Sequence, residues 1–143
     1  MKPIRIVLAF VLLSATVAIA RGTPRVEVFK SASCGCCSGW VGHMRQYGFE
    51  VTSHDVSDVA AERRKLGMPD RLTSCHTAKV GGYVIEGHVP AADIRRLLKE
   101  KPQVLGLAVP SMVTGSPGMD GPKMAYDTLL VARDGSTSVF VSH

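Results

Sequence analysis

VEVFKSASCGCCSGW, residues 26–40, places three cysteines between the pattern of a strand and the pattern of a helix. Residues 26–30 alternate and are rich in β-branched and aromatic side chains, which predicts a short strand. Five later residues recur at the spacing of one helix face: Cys37, Trp40, Val41, Met44 and Tyr47. This spacing predicts an amphipathic helix that Gly48 ends. The cysteines are therefore expected where a strand passes into the N-terminus of a helix.

The rest of the chain continues this alternation of strands and helices. The predicted elements are a strand within residues 49–56, a helix that Ser57 caps and that runs to about Leu66, strands near residues 77–80 and 83–86, and a helix from Pro90 to Pro102. Gly81-Gly82 between the last two strands is typical of a tight hairpin. The order β-α-β-α-β-β-α predicts a mixed α/β domain with a thioredoxin-like fold, whose first two strands are parallel.

Three regions are expected along the chain. Residues 1–20 combine a positive start, an apolar run and an Ala-x-Ala site, which is the layout of a cleaved signal peptide. The apolar run is shorter than the ~20 residues that a membrane-spanning helix needs, and an uncleaved anchor is the alternative. Residues 21–102 form the predicted thioredoxin-like domain. Residues 103–143 form a C-terminal extension rich in Met, Gly and Pro, which packs on the same domain and ends in a β-hairpin of residues 129–133 and 137–141.

The charge of the chain does not indicate a nucleic-acid partner. The net charge is +5, and removal of the signal peptide lowers it to +3, which is too small for that function. The basic runs Arg63-Arg64-Lys65 and Arg95-Arg96 are expected on solvent-exposed helix faces.

Cys34 and Cys37 are the ends of a C-x-x-C motif at a predicted helix N-terminus, where backbone amides and the helix dipole stabilise thiolates. Thiolates are both nucleophiles and metal ligands, so this spacing alone leaves disulfide exchange and metal binding open. In an exported, oxidising compartment, thiols form disulfides unless a metal ion or a reductant protects them.

Cys75 precedes the predicted third strand, in the loop that a thioredoxin-like fold places beside the C-x-x-C motif. Disulfide oxidoreductases have a cis-proline there, whereas this chain has no proline between Leu72 and Val80. We therefore expect Cys75 to face the CxCC motif, which consists of Cys34, Cys36 and Cys37. Four converging thiolates suit a soft metal ion better than they suit simple dithiol exchange.

Methionines and histidines extend the set of candidate ligands. Met112 and Met119 lie in the irregular extension, where no helix face requires them. Their thioethers are soft ligands for Cu(I), and the alternative is that they fill gaps in the core. His76 and His88 are candidates for auxiliary ligands or hydrogen-bond partners. An exported site rich in thiols and thioethers favours copper over zinc, whose ribbon sites use two C-x-x-C arms.

Three motifs resemble those of the CopG-type periplasmic copper-binding proteins: SCGCCSGW, LTSCHTAKVGGYVIEGHVPAADIRRLL and GLAVPSMVTGSPGMD. This resemblance implies a thioredoxin-like fold with a C-terminal extension and a role in copper resistance in the bacterial periplasm. It also implies that the CxCC motif and Cys75 hold a multinuclear Cu(I) cluster, to which the extension brings Met112 and Met119. One departure is VPSMV, where the family pattern has a glycine and a second proline around the methionine.

The sequence thus predicts a periplasmic copper-binding protein whose partners are copper ions and other periplasmic copper-handling proteins. Neither a nucleic acid nor, after cleavage of the signal peptide, a membrane is an expected partner. Copper redox activity, which would make the protein a copper oxidoreductase, is left open. A thiol–disulfide oxidoreductase that uses Cys34 and Cys37 is the main alternative, and a small secreted module with two structural disulfides is a third.

Overall fold

Seven strands and three α-helices form in residues 22–143, the part of the chain that this computed structural model describes. The predicted signal peptide, residues 1–20, lies outside these residues. The elements are β1 (Arg25–Lys30), α1 (Gly35–Gln46), β2 (Glu50–Asp55), α2 (Val59–Lys65), a 3-10 turn (Asp70–Leu72), β3 (His76–Val80), β4 (Tyr83–Glu86), α3 (Ala91–Glu100), β5 (Gly106–Ala108), β6 (Asp127–Val131) and β7 (Thr137–Ser142).

All seven strands belong to one mixed sheet with the order β2-β1-β3-β4-β5-β6-β7. The pairs β1–β2 and β4–β5 are parallel, as expected for strands joined by a helical crossover. The other pairs are antiparallel. The C-terminal strands β5, β6 and β7 therefore continue the sheet that the N-terminal strands begin.

Strand β5 departs from the sequence prediction, which treated this part of the extension as irregular. Gly106 pairs with Val84 of β4 on one side and with Val131 of β6 on the other. A Cβ atom at Gly106 would lie 1.7 Å from the carbonyl oxygen of Val84, so only glycine allows this close approach. Three residues are too few to show the alternation by which a strand is recognised in sequence.

The two faces of the sheet bury separate groups of side chains, because neighbouring strand residues point to opposite faces. Ile85 and Leu107 belong to the larger core, which also contains the apolar stripes of α1 and α3. Their neighbours Val84 and Ala108 belong to a smaller core with Met68, Leu72 and Val131. In the larger core, the Trp40 indole N–H donates to the carbonyl of Val89 at 2.8 Å, which ties α1 to the segment before α3.

Three local expectations need correction. The N-cap of α2 is Asp58 rather than Ser57, because the Asp58 carboxylate accepts a hydrogen bond from the Ala61 amide at 2.8 Å. Tyr47 lies just beyond the end of α1 and is exposed. Arg63 does not lie on a solvated helix face: only 3% of its surface is exposed, because its guanidinium turns inward.

Candidate metal centre

The pairing of β1 with β3 brings the CxCC motif and Cys75 to the same end of the sheet. Lys30, the last residue of β1, pairs with His76, the first residue of β3. Cys34 is the N-cap of α1, and Cys36 and Cys37 lie in its first turn. Cys75 directly precedes β3. Because β1 and β3 are antiparallel, the loop that follows β1 lies beside the loop that precedes β3.

The four cysteine sulfur atoms all lie within 4.8 Å of one another. The Cys36 sulfur is 3.6 Å from that of Cys34 and 3.9 Å from that of Cys75. Cys34 and Cys37 are joined by a disulfide, while Cys36 and Cys75 are free thiols. In this state the cluster offers two thiols, and reduction of the disulfide is required before it can offer four thiolates.

The protonation of the cluster depends on its burial and on the start of α1. Burial, reinforced by the neighbouring Cys36 sulfur, raises the pKa of the Cys75 thiol to about 12. Cys75 is therefore protonated in the metal-free protein, and a bound cation would displace its proton. The side chain of Cys34, the N-cap residue, makes no capping hydrogen bond to the first turn of α1. The free amides of this helix end therefore favour negative charge on the nearby sulfur atoms.

His88 is oriented for its Nε2 atom to face the cluster. This atom lies 2.9 Å from the Cys75 sulfur, and the Nδ1 atom lies 2.7 Å from the carbonyl oxygen of Pro117. Because a carbonyl only accepts, Nδ1 carries the proton and Nε2 keeps its lone pair. Burial lowers the pKa of His88, which keeps the ring neutral, and the Pro117 carbonyl partly opposes this shift. A backbone carbonyl that fixes the tautomer is typical of metal-binding histidines.

His76 lies on the inner side of the same group. Its Nδ1 atom is 3.5 Å from the Cys75 sulfur, and its ring centroid is 4.5 Å from that of Trp40. Burial, with a smaller contribution from His88, lowers the pKa of His76 to about 3. Its Nε2 atom finds no hydrogen-bond partner among residues 22–143. Cys75, His76 and His88 form a second group whose ligand atoms lie within 4.8 Å of one another.

The extension reaches the cluster through residues 111–119. Met112 is 59% exposed and lines, with Cys75 and Ser74, a cavity of about 380 Å³. Met119 is half-buried and follows Gly118, which lies against the first turns of α1. A Cβ atom at Gly118 would lie 2.7 Å from the carbonyl oxygen of Cys36, so a side chain there would push the extension away from the CxCC motif.

Sequence reasoning missed a buried ion pair beneath Cys75. The Arg63 Nε atom donates to Glu86 Oε1 at 2.9 Å, with side-chain exposures of 3% and 0%. Burial raises the pKa of Glu86, while the Ser74 amide and Arg63 act in the opposite direction. The only signal in the sequence was a glutamate at the end of the apolar strand pattern YVIE, since Arg63 stands in a basic run that resembles a solvated helix face.

Two solved structures match the chain closely and over nearly their whole length. The structure titled copper resistance protein CopG, form 2, is 41% identical, with a TM-score of 0.80, and the match covers 85% of this chain and 98% of that one. Form 1 of the same protein is also 41% identical, with a TM-score of 0.79 and coverages of 83% and 96%. The chain belongs to the CopG family. The comparison confirms the family that the three sequence motifs indicated.

A family model described as a protein of unknown function, DUF411, matches residues 72–119 of this CopG-family chain. The match includes Cys75, His76 and His88 as well as Met112 and Met119, but it begins after the CxCC motif. No curated protein matches the chain. Across residues 22–143, no helix is long and apolar enough to cross a membrane.

Proposed function

We propose that the protein is a periplasmic copper-binding protein that holds Cu(I) through the reduced sulfur atoms of Cys34, Cys36, Cys37 and Cys75. The observation that carries this proposal is the convergence of these four sulfur atoms within 4.8 Å in a CopG-family chain. Soft thiolate ligands favour Cu(I). The thiolates lie close enough together to bridge ions, which supports a multinuclear centre.

The neutral histidines and the extension supply the remaining candidate ligands. His88 is the first of these, because the Pro117 carbonyl holds its free nitrogen towards Cys75. His76 presents Nδ1 to the same sulfur from the buried side. Met112 and Met119 are proposed as thioether ligands or as groups that exclude water, since their segment lies beside Cys75 and α1.

The proposed location and architecture follow from the sequence together with the family. Residues 1–20 are proposed as a cleaved signal peptide that directs the chain to the periplasm. Residues 21–102 are proposed as a thioredoxin-like domain and residues 103–143 as an extension that completes the metal site. A role in copper resistance is supported by the name of the two related structures, and partners would then include other periplasmic copper-handling proteins.

An anaerobic Cu(I) titration of the reduced mature protein tests the proposal. We expect more than one copper ion per chain, and a lower capacity for Cys75→Ser, because the serine oxygen is a poor ligand for Cu(I). The same protein with its disulfide intact is the matched control, and it should bind less copper because two of the four sulfur atoms are unavailable. Unchanged stoichiometry and affinity in Cys75→Ser would remove Cys75 from the site.

The disulfide between Cys34 and Cys37 favours a second candidate function, a thiol–disulfide oxidoreductase. Two electrons reduce this bond to two thiolates, and either a substrate dithiol or two Cu(I) ions that become Cu(II) can supply them. Reduction of insulin by the metal-free protein, with dithiothreitol as the electron donor, separates the two functions. Efficient turnover that survives both Cys36→Ser and Cys75→Ser would favour the dithiol enzyme over the copper-binding protein.

A further inference from the structure

Ser74, the residue directly before Cys75, is held by three hydrogen bonds. Its amide N–H donates to Glu86 Oε1 at 2.7 Å, and its carbonyl accepts from Arg63 Nη2 at 2.9 Å. Its hydroxyl donates to the carbonyl of Ser111 at 2.6 Å. Both polar groups of the Ser74 backbone are thus fixed by side chains from other elements, α2 and β4.

The two side chains that hold Ser74 also hold each other. Arg63 Nε donates to the same Glu86 oxygen that accepts from the Ser74 amide. The other oxygen, Oε2, has no partner among the described residues. A buried ion pair of this kind carries a large desolvation cost and is weak evidence for stability. Its geometry instead suits a positioning function, because the planar guanidinium can donate to a carboxylate and a carbonyl at once.

The loop that carries Cys75 lacks the usual means of fixing its backbone. It contains no proline between Leu72 and Val80. The Cys75 sulfur nevertheless lies 3.9 Å from the Cys36 sulfur and 2.9 Å from His88 Nε2. Ligand geometry at a binding site has to be held to within about 0.5 Å by the residues behind it.

We propose that Arg63 and Glu86 are positioning residues of the metal centre, which clamp the Ser74 peptide and thereby set the place of the Cys75 sulfur. Their hydrogen bonds run to each other and to the Ser74 backbone rather than to a cysteine sulfur atom, so both act through Ser74. This inference rests on the proposed function for its copper readout, but the placement of the sulfur atom can be tested without copper.

The copper-free test uses a background of Cys34→Ser with Cys37→Ser, which leaves only Cys36 and Cys75. Oxidised glutathione converts these two thiols into one disulfide and is itself reduced to two glutathione thiols. The equilibrium constant measures how readily the two sulfur atoms, 3.9 Å apart, close to the ~2.05 Å of a disulfide bond. It falls when the Cys75 sulfur spends more time farther from Cys36. Arg63→Lys keeps the positive charge but loses the planar guanidinium that donates to both Glu86 and Ser74. Glu86→Gln keeps the shape of the side chain but loses its charge. Val26→Ala is the control, since it creates a buried cavity at the opposite end of β1.

We expect the equilibrium constant to fall about tenfold or more in Arg63→Lys and Glu86→Gln. Substitution of residues that hold metal ligands in place typically has an effect of this size on metal affinity. Val26→Ala should leave it within about twofold at a comparable loss of thermal stability. In the four-cysteine protein, the Cu(I) affinity of the first two variants should fall by a similar factor, as measured by competition with a chromophoric chelator.

The outcomes separate the two proposals. An equilibrium constant that is unchanged in both clamp variants, or that falls equally in Val26→Ala, would overturn the positioning function. Failure of Cys36 and Cys75 to form a disulfide in the parent background would overturn it as well. Absence of Cu(I) binding by the unmodified protein would overturn the proposed function, while the glutathione equilibrium would still decide whether Arg63 and Glu86 position Cys75.

Discussion

Replacement of Gly118 by alanine should reveal how firmly the extension packs on α1. Gly118 has a φ angle of +85°, and an added Cβ atom would lie 2.4 Å from the backbone nitrogen of Trp40. The left-handed conformation costs an alanine about 1–2 kcal/mol. Overpacking against a fixed helix backbone adds about 1–3 kcal/mol. We therefore expect Gly118→Ala to lower the free energy of unfolding by about 2–5 kcal/mol.

The β3–β4 hairpin offers a matched control for the cost of the backbone conformation. Gly82 has the same φ angle of +85°, but no atom lies within 4 Å of the position of an added Cβ. Gly82→Ala should therefore cost only the conformational part, about 1–2 kcal/mol. The effect of alanine on the unfolded chain is common to both variants and cancels in their difference.

Urea unfolding, followed by the fluorescence of Trp40, measures both variants under the same conditions. The difference between Gly118→Ala and Gly82→Ala should be about 1–3 kcal/mol at an unchanged dependence on urea concentration. Gly118→Ala should also weaken Cu(I) binding, because displacement of the extension removes the Pro117 carbonyl from His88. Equal destabilisation by the two substitutions would refute the close packing of the extension against α1.

Substitutions at three further residues test the interactions that hold the helices in place. Trp40→Phe should lower the free energy of unfolding by about 1–3 kcal/mol in a urea titration followed by far-UV circular dichroism, because the buried carbonyl of Val89 loses its donor. Asp58→Ala should cost about 1 kcal/mol in the same assay through loss of the α2 cap, and Asp58→Asn should recover most of it. His43 accepts a hydrogen bond from the Ala91 amide, and burial lowers the pKa of His43. Folding therefore favours neutral His43, and stability should fall as the pH drops below the unfolded pKa of about 6.5. In His43→Gln this fall should be shallower, and identical slopes for both proteins would contradict the assignment.

Local sequence patterns were sufficient for the elements that are long or have distinctive turns. The stripe of residues 37–44 places α1, and Gly81-Gly82 places the β3–β4 hairpin, because these signals depend only on neighbouring residues. The parallel start of the sheet also follows, since a helix joins β1 to β2. Strand β5 was missed because the partners of Gly106, Val84 and Val131, lie 22 residues before it and 25 residues after it, and because the strand is too short to show an alternating pattern.

For the candidate site too, some properties follow from the sequence and others only from the fold. The sequence alone identifies the donor atoms. Crowded thiols at a strand-to-helix junction and a fourth cysteine before β3 indicate soft-metal or redox chemistry. Their protonation and orientation are decided by contacts between distant segments. Pro117 sets the tautomer of His88 from 29 positions away. Arg63 has the local pattern of a surface residue, yet it is buried against Glu86, 23 positions later. Chemical identity is a property of each residue, whereas burial and hydrogen-bond partners exist only once the chain has folded.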